Sequence, residues 1–137
     1  MPLEPHLQAQ LIAAAEAAFE HAYAPYSSFF VGAAALGQSG KIYTGCNVEN
    51  ASYGLTICAE RNAIFAAVAA EGPAFRLRAV AVANKACVAC SPCGACRQVI
   101  YEFGPNASII FRGAERGYTI AGAGDLLPAG FLLRTAE

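Results

Sequence analysis

Two short cysteine motifs constrain this chain more than any other feature of its sequence. The first, C-A-E, begins at Cys58, and the second, P-C-G-A-C, begins at Pro92. Together they offer three thiols, which are soft metal ligands, and one carboxylate that can carry a proton. Three protein ligands with a fourth position left for water are typical of a catalytic zinc site. The spacing therefore predicts one zinc ion per chain, held by Cys58, Cys93 and Cys96, with Glu60 as the catalytic group.

The composition excludes several classes of function. The 137 residues are 56% hydrophobic and 14% charged, which suits one packed domain and not a disordered chain. A formal net charge of −1 leaves no basic surface for nucleic acid or an anionic membrane. No apolar run is long enough to span a membrane, and the first residues lack the basic start of a signal peptide. We therefore expect a cytoplasmic protein, a single domain over 1–137, that binds a small neutral ligand and keeps its six cysteines as thiols or metal ligands.

The spacing of apolar residues predicts an α/β fold. Helices are predicted over 7–22, 58–70 and 94–103, and strands over 29–36, 41–46, 78–83, 108–111 and 118–120. In the second helix, Ile64, Phe65 and Val68 are the expected buried stripe, and Asp125 is expected to cap a short turn at 126–127. The order of these elements predicts a mixed sheet of about five strands flanked by helices. The polar segment 47–56 lies where a ligand-binding loop is expected.

Both cysteine motifs fall at the predicted start of a helix, where the helix dipole favours a thiolate. Three thiolates on a zinc dication leave a net charge of −1, which would make a bound water a poor acid. Arg61, next to Glu60, is the candidate donor that withdraws charge from the sulfurs. The alternative for Arg61 is a solvated arginine on the helix surface. The alternative for Glu60 is a first-turn glutamate that only complements the helix dipole.

A second interpretation uses a different set of thiols. The four cysteines from Cys87 to Cys96 form a C-x2-C-x2-C-x2-C run, close to the iron–sulfur pattern C-x2-C-x2-C-x3-C-P. That interpretation makes the chain an electron-transfer protein, but the last spacing differs and the C-A-E motif has no role. A structural zinc module is a further alternative, and it needs a closed site with four ligands. Under the catalytic interpretation, Cys46, Cys87 and Cys90 are small buried or loop residues without a metal.

Four blocks of the sequence resemble the short, homotetrameric cytidine deaminases. They are A-P-Y-S-S-F-F-V-G-A-A from Ala24, G-C-N-V-E-N-A-S-Y from Gly45, C-A-E-R-N-A from Cys58 and S-P-C-G-A-C-R-Q from Ser91. C-A-E followed by P-C-G-A-C is the three-cysteine form of the zinc deaminase signature. The resemblance, which runs over about 23–131, implies an α/β/α layered fold. It also implies zinc-dependent hydrolysis of cytidine and 2′-deoxycytidine to uridine and 2′-deoxyuridine, with release of ammonia, in pyrimidine salvage.

The resemblance assigns roles to individual positions as well. Glu60 would relay protons between water, the N3 atom of the ring and the leaving amine. The positions that match the substrate-binding residues of the family are Phe29, Asn47, Glu49, Tyr53, Ala59 and Phe131. Asn47 and Glu49 would hydrogen-bond the ribose hydroxyls, and Phe29 would pack on the pyrimidine ring. The alternatives are a solvated turn for the first two residues and an ordinary core position for Phe29.

The remaining matches concern the base and the neighbouring subunit. Ala59 would offer its backbone N–H to the base, and Tyr53 would lie close to the substrate loop. Phe131, in L-L-P-A-G-F, would reach the site of a neighbouring subunit, so that a homotetramer completes each site; its alternative is packing on its own chain. Blasticidin S deaminases are similar at the zinc motifs but lack the N-x-E pair that Asn47 and Glu49 supply. A related nucleoside analogue therefore stays open as the substrate.

Overall fold

A mixed five-stranded sheet forms the centre of the computed structural model, which describes residues 2–133. The strands are β1 (Val31–Gly37), β2 (Ile42–Cys46), β3 (Leu77–Asn84), β4 (Ser108–Arg112) and β5 (Tyr118–Gly122). Their order is β2-β1-β3-β4-β5, in which β3 and β4 are parallel and the other neighbours are antiparallel. The predicted sheet is confirmed, and its strand ends differ from the prediction by at most two residues.

Helices cover both faces of this sheet. They are α1 (Pro5–Phe19), α2 (Ala59–Glu71), α3 (Gly94–Phe103) and the short α4 (Ala123–Leu126), with 3-10 turns at Tyr53–Leu55 and Gly72–Ala74. One apolar cluster joins α1 to one face, and the other joins α2 and α3 to the opposite face. The arrangement is an α/β/α sandwich, as predicted. Within 2–133 no helix combines the length and the apolar character needed to cross a membrane.

Small residues let the helices approach the sheet closely. Every residue of β1 is buried, and the strand consists mainly of alanine and glycine. A Cβ atom at Gly32 would lie 2.1 Å from the Ala15 carbonyl oxygen in α1. A Cβ atom at Gly45 would lie 2.3 Å from the Ala63 nitrogen in α2. Glycine at these two positions therefore sets the distance between the sheet and the helices on either side.

Two details of the helices differ from the sequence prediction. Phe65 was expected to be buried, but it is 47% exposed. Because α2 packs on the sheet through Ala59, Ala63 and Ala67, with Ile64 beside them, Phe65 faces away from the core. The first helix ends at Phe19 and not at residue 22.

The early end of α1 and the position of Asp125 have clear causes. Tyr23 donates its N–H to the Asn47 carbonyl and forms a bridge with Val48, which draws the chain out of the helix. Asp125 does not cap a turn at 126–127. It lies inside α4, and its Oδ2 accepts a hydrogen bond from the Gly122 N–H at 3.2 Å.

Candidate zinc site and active site

The thiols of Cys58, Cys93 and Cys96 meet at one edge of the sheet. Cys58 is the N-cap of α2, Cys93 is the N-cap of α3, and Cys96 lies in the first turn of α3. The three sulfurs lie within 4.8 Å of one another, and they are the one group of this kind found in the described part of the chain. The predicted ligand set is thus brought together by the fold.

The spacing of the sulfurs suits zinc. The Cys58 Sγ to Cys93 Sγ distance is 3.8 Å. Zinc–sulfur bonds of about 2.3 Å in a tetrahedral site place two ligand sulfurs about 3.8 Å apart. Within residues 2–133 no fourth metal-binding side chain joins the three thiols, which matches a catalytic site that keeps one position open.

The local sequence explains why the two helix starts converge. Asn62, in the first turn of α2, donates its amide to the Cys46 carbonyl at the end of β2, at 2.8 Å. Asn84, the last residue of β3, holds the next loop through two hydrogen bonds with the backbone of Val88, at 2.8 and 3.0 Å. Cys90 donates its N–H to a β4 carbonyl at 2.9 Å. The helix that follows Cys58 is therefore attached to the end of β2, and the loop that leads to Cys93 is attached to the ends of β3 and β4.

Arg61 lies beside the cluster, as the sequence suggested. Its Nη2 donates a hydrogen bond to Cys58 Sγ at 3.4 Å. Hydrogen bonds from the Cys96 thiol and from Arg61 lower the pKa of Cys58 to about 5, although burial opposes this shift. The pKa of Cys96 is raised in the metal-free cluster, because it shares its proton with Cys58 and is buried. A bound dication would displace that proton, since metal binding deprotonates its thiol ligands.

Glu60 is a buried carboxyl next to the ligands. It stands in the first turn of α2 and is 4% exposed. Burial raises its pKa to about 7, and the charge of Cys58 contributes in the same direction. A group with a pKa near 7 both accepts and releases a proton readily at neutral pH. Glu60 is therefore suited to accept and release a proton beside the three thiols.

Glu49 is held in a fixed orientation by hydrogen bonds to the segment that precedes β1. Its carboxylate accepts hydrogen bonds from the N–H groups of Tyr26 and Ser27, at 2.9 and 3.1 Å, and from the Ser27 hydroxyl. The Ser27 hydroxyl and these backbone groups lower the pKa of Glu49. Together with Tyr53 and Thr56, these residues line a cavity of about 410 Å³. An ionised carboxylate at a cavity wall can accept hydrogen bonds from hydroxyl groups.

The side chain of Asn47 makes more hydrogen bonds within the protein than its position in a polar loop suggested. It is buried, its Oδ1 accepts from the Val31 N–H at 2.9 Å, and its Nδ2 donates to the Phe29 carbonyl at 2.8 Å. These bonds fix the start of β1 and leave one amide hydrogen available. Phe29 is half-buried and packs against the core that includes α2.

The other predicted substrate residues differ in exposure. Ala59 is buried as the first residue of α2, and an N–H at that position has no partner inside its helix. Tyr53 is 76% exposed and contacts Tyr26 edge-on, with ring centroids 6.0 Å apart. Phe131 is 63% exposed, and its carbonyl accepts a hydrogen bond from Gln98 at 3.5 Å.

Comparison with known proteins agrees with this geometry. A family model of the cytidine and deoxycytidylate deaminase zinc-binding region matches residues 5–112, most of the chain. The chain belongs to this deaminase family.

Individual relatives cover between 69% and 94% of the deaminase chain. A cytidine deaminase of Halalkalibacterium halodurans is 45% identical over 131 residues, which is 93% of each sequence. A cytidine deaminase of Sporosarcina psychrophila is 53% identical over 94 residues, which is 69% of this chain and 68% of the relative. The crystal structure of cytidine deaminase from Burkholderia pseudomallei has a TM-score of 0.81 at 47% identity, and the match covers 94% of this chain and all of that one.

The iron–sulfur interpretation is not favoured for this deaminase. Cys87 and Cys90 do not join the sulfur cluster; Cys58 does. The exposed Cys87 lies in a turn with a φ of 57°, and its thiol contacts a carbonyl of the same loop. The spacing of four cysteines was therefore a weaker guide than the pairing of C-A-E with P-C-G-A-C.

Arg97 is a residue of the deaminase site that the sequence analysis did not single out. Its guanidinium donates to the Pro92 carbonyl at 2.7 Å, to Ser91 Oγ at 3.0 Å and to the Leu126 carbonyl at 3.0 Å. These bonds tie the loop before Cys93 to the helix that follows it and to α4. Its place directly after the last cysteine of the motif was the available signal.

Proposed function

We propose that this protein is a zinc-dependent hydrolase that converts cytidine and 2′-deoxycytidine to uridine and 2′-deoxyuridine and releases ammonia. The observation that carries the proposal is the buried Glu60 beside a cluster of three sulfurs with zinc spacing. Zinc held by Cys58, Cys93 and Cys96 would lower the pKa of a water molecule and so supply a nucleophile at neutral pH. The relatives that cover this chain support cytidine as the substrate.

Glu60 is proposed as the proton carrier of the reaction. The hydrolysis needs one group that accepts a proton from water, delivers a proton to N3 of the pyrimidine and later protonates the departing amine. The burial of Glu60 and its pKa of about 7 suit each of these transfers, because the carboxyl is neither a strong acid nor permanently protonated. Arg61 is proposed as a positioning residue, which stabilises the Cys58 thiolate through its hydrogen bond.

The 410 Å³ cavity is proposed as the place of the sugar. Glu49, held ionised by Ser27 and by two backbone N–H groups, would accept hydrogen bonds from the ribose hydroxyls. The free amide hydrogen of Asn47 would contact the same sugar. Phe29, next to the first strand, would pack on the pyrimidine ring, and the Ala59 N–H would bond the base. Tyr53 would close the outer side of this cavity.

We propose that the site is completed in a homotetramer. Phe131 and Tyr53 are both large, apolar and exposed in the single chain. An aromatic ring exposed beside a binding cavity gains free energy when a neighbouring subunit or a ligand covers it. Phe131 would then contribute to the pocket of a neighbour. The enzyme would act in cytoplasmic pyrimidine salvage.

A panel of substrates tests the proposed function. The zinc-loaded protein should hydrolyse cytidine and 2′-deoxycytidine faster than cytosine, cytidine monophosphate or blasticidin S, because the cavity offers a sugar site with a carboxylate that repels a phosphate. Ammonia release and loss of the cytidine absorbance band are the readouts. Preference for blasticidin S would move the assignment to a nucleoside-analogue deaminase. No turnover of any of the five compounds by protein with full zinc content would refute it.

A further inference from the structure

A second cavity lies away from the zinc cluster, between the loop after β3 and the turn that joins β4 to β5. Its volume is about 380 Å³, and its walls include Cys87, Ala89, Arg112, Glu115 and Arg116. None of the residues proposed for zinc, proton transfer or nucleoside binding lines it. It therefore needs an explanation of its own.

Arg112 carries a buried polar side-chain atom in the wall of this cavity. Its Nε is buried and has no hydrogen-bond partner within residues 2–133. A buried donor without an acceptor is costly, and more so when it carries a charge. A guanidinium group offers five donors in a fixed fork, which matches the oxygens of an anion. Arg112 thus brings to the cavity wall a guanidinium group whose donors are not all used within residues 2–133.

The Arg112 side chain is also held in place before any ligand binds. Its guanidinium carbon lies 4.5 Å from the centroid of the Tyr118 ring. The Tyr118 hydroxyl in turn donates a hydrogen bond to Glu16 Oε2 at 2.9 Å, which anchors the ring to α1. A donor that is already oriented loses little conformational entropy on binding.

The charges of the walls favour an anion. Arg112 and Arg116 bring two positive charges, and Glu115, an exposed residue of the turn, brings one negative charge. We propose that this cavity binds a small phosphate-bearing anion, either inorganic phosphate or a phosphate monoester. A phosphate group has three or four acceptor oxygens and can serve two guanidinium groups at once, whereas a carboxylate has only two oxygens. The volume lies within the usual range for small-molecule sites.

The cavity is connected to the loop that carries a zinc ligand. The Cys90 N–H donates to the Arg112 carbonyl at 2.9 Å, and Cys90 lies three residues before Cys93. An anion held by Arg112 and Arg116 braces the strand end that supports this loop. Binding therefore stabilises the folded protein, because the ligand has no such site in the unfolded chain.

Calorimetric titration of the zinc-loaded protein tests the proposal, with inorganic phosphate and ribose 5-phosphate as the two probes at constant ionic strength. We expect one bound anion per chain with a dissociation constant of about 1 mM or lower. Arg112→Gln and Arg116→Gln should each weaken binding at least about tenfold, because each removes charge-assisted hydrogen bonds. Lys41→Gln, which removes one exposed positive charge far from the cavity, should leave binding unchanged.

The two probes separate the two sources of phosphate. Tighter binding of ribose 5-phosphate identifies a monoester as the ligand, and equal binding identifies inorganic phosphate. Absence of saturable binding up to about 10 mM would overturn the proposal. Equal affinity of the wild type and of Arg116→Gln for both anions would also overturn the proposal. Because residue 116 is exposed in the turn, Arg116→Gln should fold normally, so it tests the proposal even if Arg112→Gln does not fold.

Discussion

Arg61 Nη2 donates a hydrogen bond to Cys58 Sγ across 3.4 Å, and the buried Ala59 and Glu60 lie between them along the first turn of α2. One helical turn therefore brings together the proposed metal ligand Cys58, the proposed proton carrier Glu60 and the positive charge of Arg61. Because the positive end of the helix dipole also lies there, the turn favours negative charge on the ligand.

The first prediction concerns the contribution of Arg61 to the acidity of Cys58. In the metal-free protein, the Cys96 thiol and Arg61 together hold the pKa of Cys58 at about 5. Arg61→Gln should raise that pKa and slow the alkylation of Cys58 by iodoacetamide several-fold at pH 6, since the thiolate is the reactive form. Mass spectrometry of the labelled peptides measures the rate, and the exposed Cys87 is the internal control. Unchanged Cys58 labelling would argue against this role.

A second prediction concerns Glu60 and the stability of the metal-free protein. The folded pKa of about 7 lies above the usual value of 4.5, so the unfolded chain releases its proton at lower pH. The contribution of Glu60 to the free energy of unfolding therefore falls as pH rises from 4.5 to 7, by about 3 kcal/mol, and stays low above pH 7.

Glu60→Gln should remove that pH dependence. In urea unfolding of the metal-free proteins, the variant should be more stable than the wild type at pH 8, and the two should be alike at pH 4. If the free energies of unfolding of the two proteins change in parallel between pH 4 and pH 8, ionisation of Glu60 does not destabilise the folded protein.

The third prediction separates the two roles that the structure allows for Glu49. Glu49→Gln should lower kcat/KM for cytidine about 10- to 100-fold, while the much slower reaction of free cytosine should change little, because cytosine has no ribose. Ser27→Ala is the matched control, since it removes the hydroxyl bonded to Glu49 and keeps the carboxylate. If both substrates lose activity equally in Glu49→Gln, the carboxylate acts on the loop and not on the sugar.

A fourth prediction addresses the exposed Phe131. If its ring completes the pocket of a neighbour, Phe131→Ala and Glu60→Gln are each inactive or weak alone. Mixed oligomers should regain part of the activity, because some pockets then combine an intact Glu60 with an intact Phe131 from another chain. Mixing after reversible dissociation, with the composition verified by mass, is the measurement. Absence of any recovery would place the whole pocket within one chain.

The sequence predicts most of the fold and the metal cluster, because both depend on local patterns. Short apolar runs between turn residues located the five strands, helical spacing located the helices, and the two motifs at helix starts identified Cys58, Cys93 and Cys96. The prediction that Phe65 is buried was wrong because helical periodicity gives only the angle between residues. It does not say which face of α2 packs on the sheet, and that face is set by the alanines that let α2 approach Gly45.

Contacts between distant segments could not be predicted in the same way. Asn47 bonds the backbone on both sides of residue 30, and Arg97 bonds a carbonyl of α4, 29 residues later in the chain. Neither contact produces a periodic pattern in the sequence, since each depends on the path of a loop in the folded protein. The cavity beside Arg112 is likewise formed by two loops that only the folded sheet brings together.

The most direct test of the proposed chemistry combines metal analysis with a cytidine assay on the same purified sample, for the wild type and for Glu60→Gln. We predict one zinc ion per chain in both proteins and conversion of cytidine to uridine by the wild type, with turnover at least about a thousandfold lower in the variant. Full zinc content with near-normal turnover in Glu60→Gln would contradict the role of Glu60. A wild-type protein with one zinc ion per chain and no conversion of cytidine would contradict the proposed reaction.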